Sequence, residues 1–277
     1  MRYKRTVMLV FLFFFCIHAL SLAACGAVVF NPTRDISADV EHGIVCFAKG
    51  DVDGAINEFT ASIRSNPKDY LAYYHRAKVY EFKEDSAQAI ADYGQTIKAG
   101  CGYFLFGYAS YYRGVLYQRM RNLPEAIGDY TAIINQSELS VSLRANAYNN
   151  RGLAYDRQGK FDDALADFNR ALELIPKLLN AHYNRGVAYA NLGAYAPARE
   201  DFLKELGLNP CSVNAHYYNV TLAYYEQGDY YRSWYHVFRL MRSDQHVSRL
   251  LIVDLKNKIE KASSRKTSGG VLTSTSR

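Results

Sequence analysis

Residues 145–178 read ANAYNNRGLAYDRQGKFDDALADFNRALELIPKL. A small residue, Gly152, is followed three positions later by Tyr155, twelve later by Ala164 and sixteen later by Phe168, and Pro176 closes the unit. The same skeleton recurs along the chain. Gly43, Ala77, Gly114, Gly152 and Gly186 align at intervals of 34, 37, 38 and 34 residues. Cys46, Tyr80, Tyr117, Tyr155 and Tyr189 follow at plus three, and Ala55, Ala89, Ala126, Ala164 and Ala198 at plus twelve. Phe59, Tyr93, Tyr130, Phe168 and Phe202 stand at plus sixteen. A sixth, degenerate copy carries Tyr224, Ser233 and Val237 with a one-residue shift. Self-similarity at this period is the signature of a stacked repeat architecture. Small residues fit where two helices cross closely, and aromatic residues fill the space between hairpins. One hairpin cannot bury its apolar face alone, so stacking supplies the core.

The order of Gly, Tyr, Ala, aromatic and Pro resembles the tetratricopeptide repeat over about residues 36–247. The resemblance implies an all-α fold, a right-handed superhelical α-solenoid of about six helix-turn-helix units. Their expected bounds are 36–69, 70–103, 107–140, 145–178, 179–212 and 213–247, with 104–106 and 141–144 as insertions between units. Residues 248–262 are expected to form a capping helix, with Leu250, Leu251, Val253, Leu255 and Ile259 on its apolar side. The Ser-, Thr-, Gly- and Lys/Arg-rich stretch 263–277 is expected to be a disordered basic tail.

The N-terminus reads as an address. Arg2, Lys4 and Arg5 precede an unbroken apolar run, Val7 to Ile17, and then small residues. That is the layout of an export signal over 1–24, and the run is too short to span a bilayer comfortably. The string Leu22-Ala23-Ala24-Cys25 resembles the lipobox of bacterial lipoproteins. The resemblance implies cleavage before Cys25, lipid on its sulfur and acylation of the new amino terminus; two or more acyl chains anchor stably where one is marginal. Residues 25–35 would be a short lipidated tether. By analogy with enteric bacteria, Gly26 after the cysteine favours the outer membrane, on its periplasmic or surface face.

The net charge of +6 sits at the ends. Residues 248–277 hold seven Lys/Arg against two acids, and 1–24 hold three basic residues and none acidic, so the body is near neutral. A nucleic-acid-binding domain would instead concentrate basic residues on a working face. Beyond Cys25, the mature chain keeps Cys46, Cys101 and Cys211, an odd number that excludes full pairing. Cys46 takes a core tyrosine's place, and the other two fall in turns of distant units. None has metal-site spacing. Among histidines, His182 and His216 occupy equivalent repeat positions, which marks them as packing residues. No zincin helix, phosphate-binding glycine loop or nucleophile elbow is present. The reading is therefore non-enzymatic, with no catalytic residues, cofactor or metal.

Two recurrences remain. Arg76, Arg113, Arg151 and Arg185 are each matched sixteen residues later by Asp92, Asp129, Asp167 and Asp201. His42 with Glu58 and Val220 with His236 stand there in the outer copies. A bridge tying the helices of a hairpin, or adjacent hairpins, explains why acid and base come and go together; a charged ligand ladder is the other reading. The second recurrence lies on the face that lines the groove in the family resembled. Asn146, Asn180 and Asn214 are followed about one turn later by Asn150, Asn184 and Asn219, with Asn149 and Tyr183 beside them. Amides donate and accept together, so such rows can clasp an extended peptide backbone; the alternative is repeat consensus and helix capping. In the second and third units Tyr74, His75, Lys78, Tyr108, Tyr111, Tyr112 and Arg119 take the equivalent places. They form either a hot-spot-like patch or packing against the next helix. Tyr103, Phe104, Leu105 and Phe106, in the loop before the third unit, are either an exposed apolar edge or core.

The expected function is a membrane-anchored adaptor that holds another envelope protein's peptide or helix in a concave groove. Two alternatives are a surface adhesin for host protein or acidic polysaccharide, and a ligand-binding, homo-oligomeric component of a transporter.

Overall fold

The computed structural model describes residues 37–242 and 247–268. The signal segment, Cys25, the tether and residues 269–277 lie outside them. The described residues are all-helical, with no strand among them. Thirteen helices follow one another: α1 Ala38–Ala48, α2 Val52–Ser65, α3 Tyr70–Phe82, α4 Ser86–Lys98, α5 Tyr103–Arg119, α6 Leu123–Ile134, α7 Val141–Arg157, α8 Phe161–Leu174, α9 Ala181–Asn191, α10 Tyr195–Leu208, α11 Val213–Glu226, α12 Tyr230–Met241 and α13 Arg249–Ser268. They form two compact units that divide within α5, after Leu116. In the first unit α1 packs on α2, α2 on α3, and α3 on α4. In the second the same serial packing runs from α6 to α12, and α13 packs on α12 and α9.

Each hairpin turn has one construction. One residue takes a left-handed backbone: Gly50, Glu84, Arg121, Gly159, Gly193 or Gly228, with φ between 60° and 85°. The next residue's N–H then donates back to the carbonyl of the plus-three residue, as from Lys160 to Tyr155 at 3.0 Å and from Ala194 to Tyr189 at 2.9 Å. This is the six-to-one bond of a Schellman helix end. Glycine meets that φ without steric cost; Glu84 and Arg121 adopt it with a Cβ.

Between the helices of a pair, the small position is set by the aromatic ring. A Cβ added to Gly152 would stand 2.8 Å from the Phe168 ring, and one on Gly186 would stand 2.8 Å from that of Phe202. The plus-twelve alanines are all completely buried. Ser233 fills that slot in the last hairpin, and its hydroxyl donates to the Thr221 carbonyl at 2.9 Å. Fully burying one such Phe contributes about 1.5–3 kcal/mol.

The plus-sixteen ring carries a coupled choice. Where it is tyrosine, the hydroxyl reaches an acceptor on the facing helix: Tyr93 donates to Glu81 and Tyr130 to Gln118 at 3.0 Å. Phe168 and Phe202 have no hydroxyl to place, and the corresponding positions hold Asp156 and Ala190. A buried hydroxyl needs its partner.

Several expectations are corrected. Residues 104–106 and 141–144 are not insertions between units. Both are helical, and they lengthen α5 and α7 at their starts. Leu143 of that extension is buried, which gives the extra turn an apolar footing. The last helix does not stop at 262 but continues to Ser268. Its start is held by Ser248, whose hydroxyl donates to the Ala190 carbonyl at 3.1 Å and whose N–H donates to the Tyr218 hydroxyl at 2.9 Å. Leu251 and Leu255 complete the burial.

Candidate functional site

The recurrent arginines are structural joints. Arg76 places Nε and Nη2 on the two oxygens of Asp92, both at 2.8 Å, and Arg151 does the same to Asp167. Arg185 holds Asp201 at 2.6 and 2.7 Å. The third nitrogen, Nη1, reaches the preceding hairpin: Thr60 at 3.0 Å, Thr131 at 2.9 Å and Asn169 at 2.7 Å respectively. One side chain thus ties its own hairpin and the one before it. The planar fork suits this geometry, and a lysine could not reproduce it. At Gly94, the matching place before Arg113, an added Cβ would stand 3.4 Å from Arg113 Nη1. Burial raises the Asp167 carboxyl, while the Arg151 bonds pull it down.

The asparagines divide into three environments. Asn149 and Asn184 are both 8% exposed, and Asn184 Nδ2 donates to Asn149 Oδ1 at 3.0 Å. Seven residues further along both helices, Asn191 Nδ2 donates to Asp156 Oδ1 at 3.0 Å, and both are buried. These are two rungs between α7 and α9. Their amides are spent on each other, which removes Asn149 and Asn184 from an exposed row. Asn150, half-buried, accepts from Asn149 at 3.4 Å. Asn146 donates to the Ser142 carbonyl one turn back at 2.8 Å. Asn219 accepts from Arg199 Nε at 3.3 Å, and Arg199 also pairs with Glu226 at 2.8 Å. Asn180 is exposed and left-handed at the head of α9, with no capping bond from its side chain. Asn214 lies half-buried in the first turn of α11. Asn146, Asn150, Asn180, Asn214 and Asn219 therefore keep surface access without forming a uniform ladder.

Tyr183 is half-buried against Phe202 and Tyr218, with ring centroids at 5.8 and 6.0 Å; burial pushes its hydroxyl well above the usual range. His182 behaves as a packing residue, 9% exposed and within 3.2 Å of both Asp201 Oδ1 and the Pro176 carbonyl. His216 does not: it is exposed beside Tyr217.

In the first unit the aromatic residues form a connected run. Tyr74 meets Tyr93 at 5.8 Å, Tyr93 stacks on Tyr112 at 6.0 Å, Tyr112 on Tyr108 at 6.4 Å, and Tyr108 meets Phe104 at 4.8 Å. Tyr111 stands edge-on to Tyr112. Lys78 Nζ lies 3.5 Å from the Tyr112 ring centroid and 2.8 Å from Glu81, a cation–π contact backed by an ion pair. Burial and the Lys78 charge lower His75 to about 4, with Asp69 opposing; its ring stacks on Phe59 at 5.8 Å. Burial raises Tyr112 to about 12. The run opens at Phe104 and Tyr103, 53% and 59% exposed. They are the first turn of α5, not a loop. Arg119 is exposed at the end of α5.

Sequence reasoning missed Glu81, Asp156 and Asn191. Two of them stand seven residues beyond Asn149 and Asn184, a two-turn spacing that signals a second rung.

Among the described residues no helix is long and apolar enough to cross a membrane. Cys46, Cys101 and Cys211 are free thiols, and burial pushes the Cys101 thiol up to about 11.

Comparison with known proteins agrees with the geometry. Models of the tetratricopeptide repeat match residues 41–103, 145–178 and 179–210. Human tetratricopeptide repeat protein 6 is 32% identical over 152 residues, 54% of this chain; the chain spans only 27% of that protein's length. A tetratricopeptide repeat protein from Parabacteroides merdae superposes with a TM-score of 0.60 over 83% of this chain and 87% of its own, at 19% identity. YrrB, described as a TPR protein with an unusual peptide-binding site, superposes with a TM-score of 0.55 over 64% of this chain and 88% of its own, at 21% identity. Hairpins packed in series within each unit, rings seated over Gly43, Gly152 and Gly186, and matching family models together identify tetratricopeptide repeats at residues 41–103 and 145–210.

Proposed function

We propose that this chain is a non-enzymatic scaffold. It holds a segment of another protein against the first helices of its hairpins and is tethered to a bacterial membrane by lipid on Cys25. The observation that carries the reading is the aromatic run Tyr112–Tyr108–Phe104, continuous by ring contact and open to solvent at its α5 end. Packed rings with one free edge supply rigid apolar area at low entropic cost, and Lys78 sets a cation beside them. In the second unit Asn180 and Asn214 offer adaptable amides on the corresponding helices. The fold is shared with YrrB, a protein described by its peptide-binding site, and extended-peptide or helix-in-groove binding suits such a surface. The lipid anchor and envelope location rest on Leu22-Ala23-Ala24-Cys25 and the apolar run before it.

The test places a photo-crosslinking phenylalanine analogue at Phe104, at Asn180 and, as a control, at the exposed Ala91 of α4. Crosslinks to one defined partner from Phe104 or Asn180, and not from Ala91, support the scaffold. Equal capture from all three positions, or capture from none, overturns it. Labelled palmitate incorporated by the wild type and not by Cys25→Ser supports the anchor; label retained by the variant rejects it.

A further inference from the structure

We infer that α12 is a membrane-facing ridge that lies on an anionic lipid surface, a contact separate from both the partner-binding face and the Cys25 anchor. The argument starts from the repeat. Tyr231 and Tyr235 occupy two outward positions of the second helix, 56% and 58% exposed. In the second, fourth and fifth hairpins those positions are also exposed but small or polar: Ala87 and Ala91, Asp162 and Ala166, Ala196 and Glu200. Only the last hairpin puts aromatic rings there. Phe238, 50% exposed, extends the stripe one turn further. From Tyr231 to Phe238 the row runs about 10 Å along the helix.

The remaining residues of that arc are Arg232, Arg239 and Arg242, all exposed, and none is acidic. The nearest carboxylates are engaged. Asp229 faces Arg232 at 3.4 Å, and Asp254 of α13 accepts the hydroxyls of Tyr225 and Tyr195. Lys256 and Lys258 of α13 lie over the rings of Trp234 and Tyr230 on the adjoining edge. The exposed face therefore combines aromatic rings with a net positive charge, three arginines against the one carboxylate of Asp229 that pairs with Arg232. Its charge complements an anionic surface, and face-to-face pairing of two copies would set arginine against arginine. The three rings lie along one helix, α12. Aromatic rings at headgroup depth, flanked by arginines that reach phosphates, match how interfacial helices bind.

The apolar N-terminal run can carry the whole chain to a vesicle, so the readout must be local. The chain has one tryptophan, Trp234. Two full-length variants, both carrying Trp234→Phe, receive a reporter: Phe238→Trp on the ridge, or Leu203→Trp at the equivalent exposed position of α10. Each is mixed with phosphatidylcholine vesicles, with or without 30% phosphatidylglycerol, containing brominated lipid. The expected result is a blue shift and quenching at position 238 and not at 203, dependent on phosphatidylglycerol. Replacing the three arginines with Gln should weaken the partition of the 238 reporter about a hundredfold. Equal quenching at both positions, quenching independent of phosphatidylglycerol, or none at 238 overturns the proposal. So does a shift at 238 with poly-glutamate but not vesicles, which would assign the face to an acidic protein, or a concentration-dependent shift without lipid, which would assign it to a second copy.

Discussion

Arg185 and Asn169 meet at 2.7 Å across two hairpins, while the same guanidinium grips Asp201 within its own hairpin. The pair is partly sheltered, with the arginine side chain 17% and the aspartate 2% exposed, so its removal differs from the loss of a surface ion pair. Arg185→Ala leaves the Asp201 carboxylate buried with only His182 beside it, and urea denaturation should show a loss of about 3 kcal/mol. Asn169→Ala removes one bond and should cost about 1 kcal/mol. Equal losses from the two variants would contradict the joint.

The Asn149–Asn184 rung predicts strong coupling. Asn184→Ala orphans a buried amide and should cost about 2 kcal/mol. In a double-mutant cycle with Asn149→Ala the two losses should fall short of additivity by about 1 kcal/mol. Additive losses would mean that the amides do not pair.

His75 predicts an acid-sensitive first unit. Its folded value of about 4 lies below the ordinary 6.5 because burial and Lys78 disfavour the imidazolium. The unfolded chain therefore binds the extra proton first. Stability is complete above about pH 6.5 and falls as pH drops toward 4, by about 3 kcal/mol at most. His75→Phe should flatten that part of the stability–pH curve; an unchanged slope would refute the assignment.

Glu84 predicts an easy gain. It holds φ 63° with a Cβ where four of the other turns place glycine. Glu84→Gly relieves the left-handed strain but adds entropy to the unfolded chain, so a net stabilisation of about 0.5 kcal/mol is expected in thermal unfolding. Gly159→Ala should lose about 1 kcal/mol at the same turn position.

The repeat pattern was legible because it is dictated by sterics that act within one hairpin: Gly152 is small because Phe168 lies on it. The Arg–Asp pairs were legible for the same reason, being sixteen residues apart in each of the four copies that carry them. What escaped the sequence was the use of side chains between hairpins. Asn149 and Asn184 sit one position out of register, so an alignment by equal repeat number pairs Asn150 with Asn184 and misses the bond. Tyr103 and Phe104 looked like a loop because they precede the aligned unit, yet the helix begins with them. Which amides are spent in packing depends on the neighbour's register, and composition does not encode that.

Because Nη1 of Arg76, Arg151 and Arg185 meets an oxygen upstream, those junctions are keyed like a lock and its wards. Thr60 admits Arg76, Thr131 admits Arg151 and Asn169 admits Arg185, whereas Leu203 precedes a hairpin that carries Val220. Excising residues 179–212 as one period would bring the Asn169 amide against Val220, a splice with correct length and the wrong chemistry. Duplication of a hairpin would keep the key only where the residue before the new seam carries an oxygen, as Thr131 and Asn169 do and Leu203 does not.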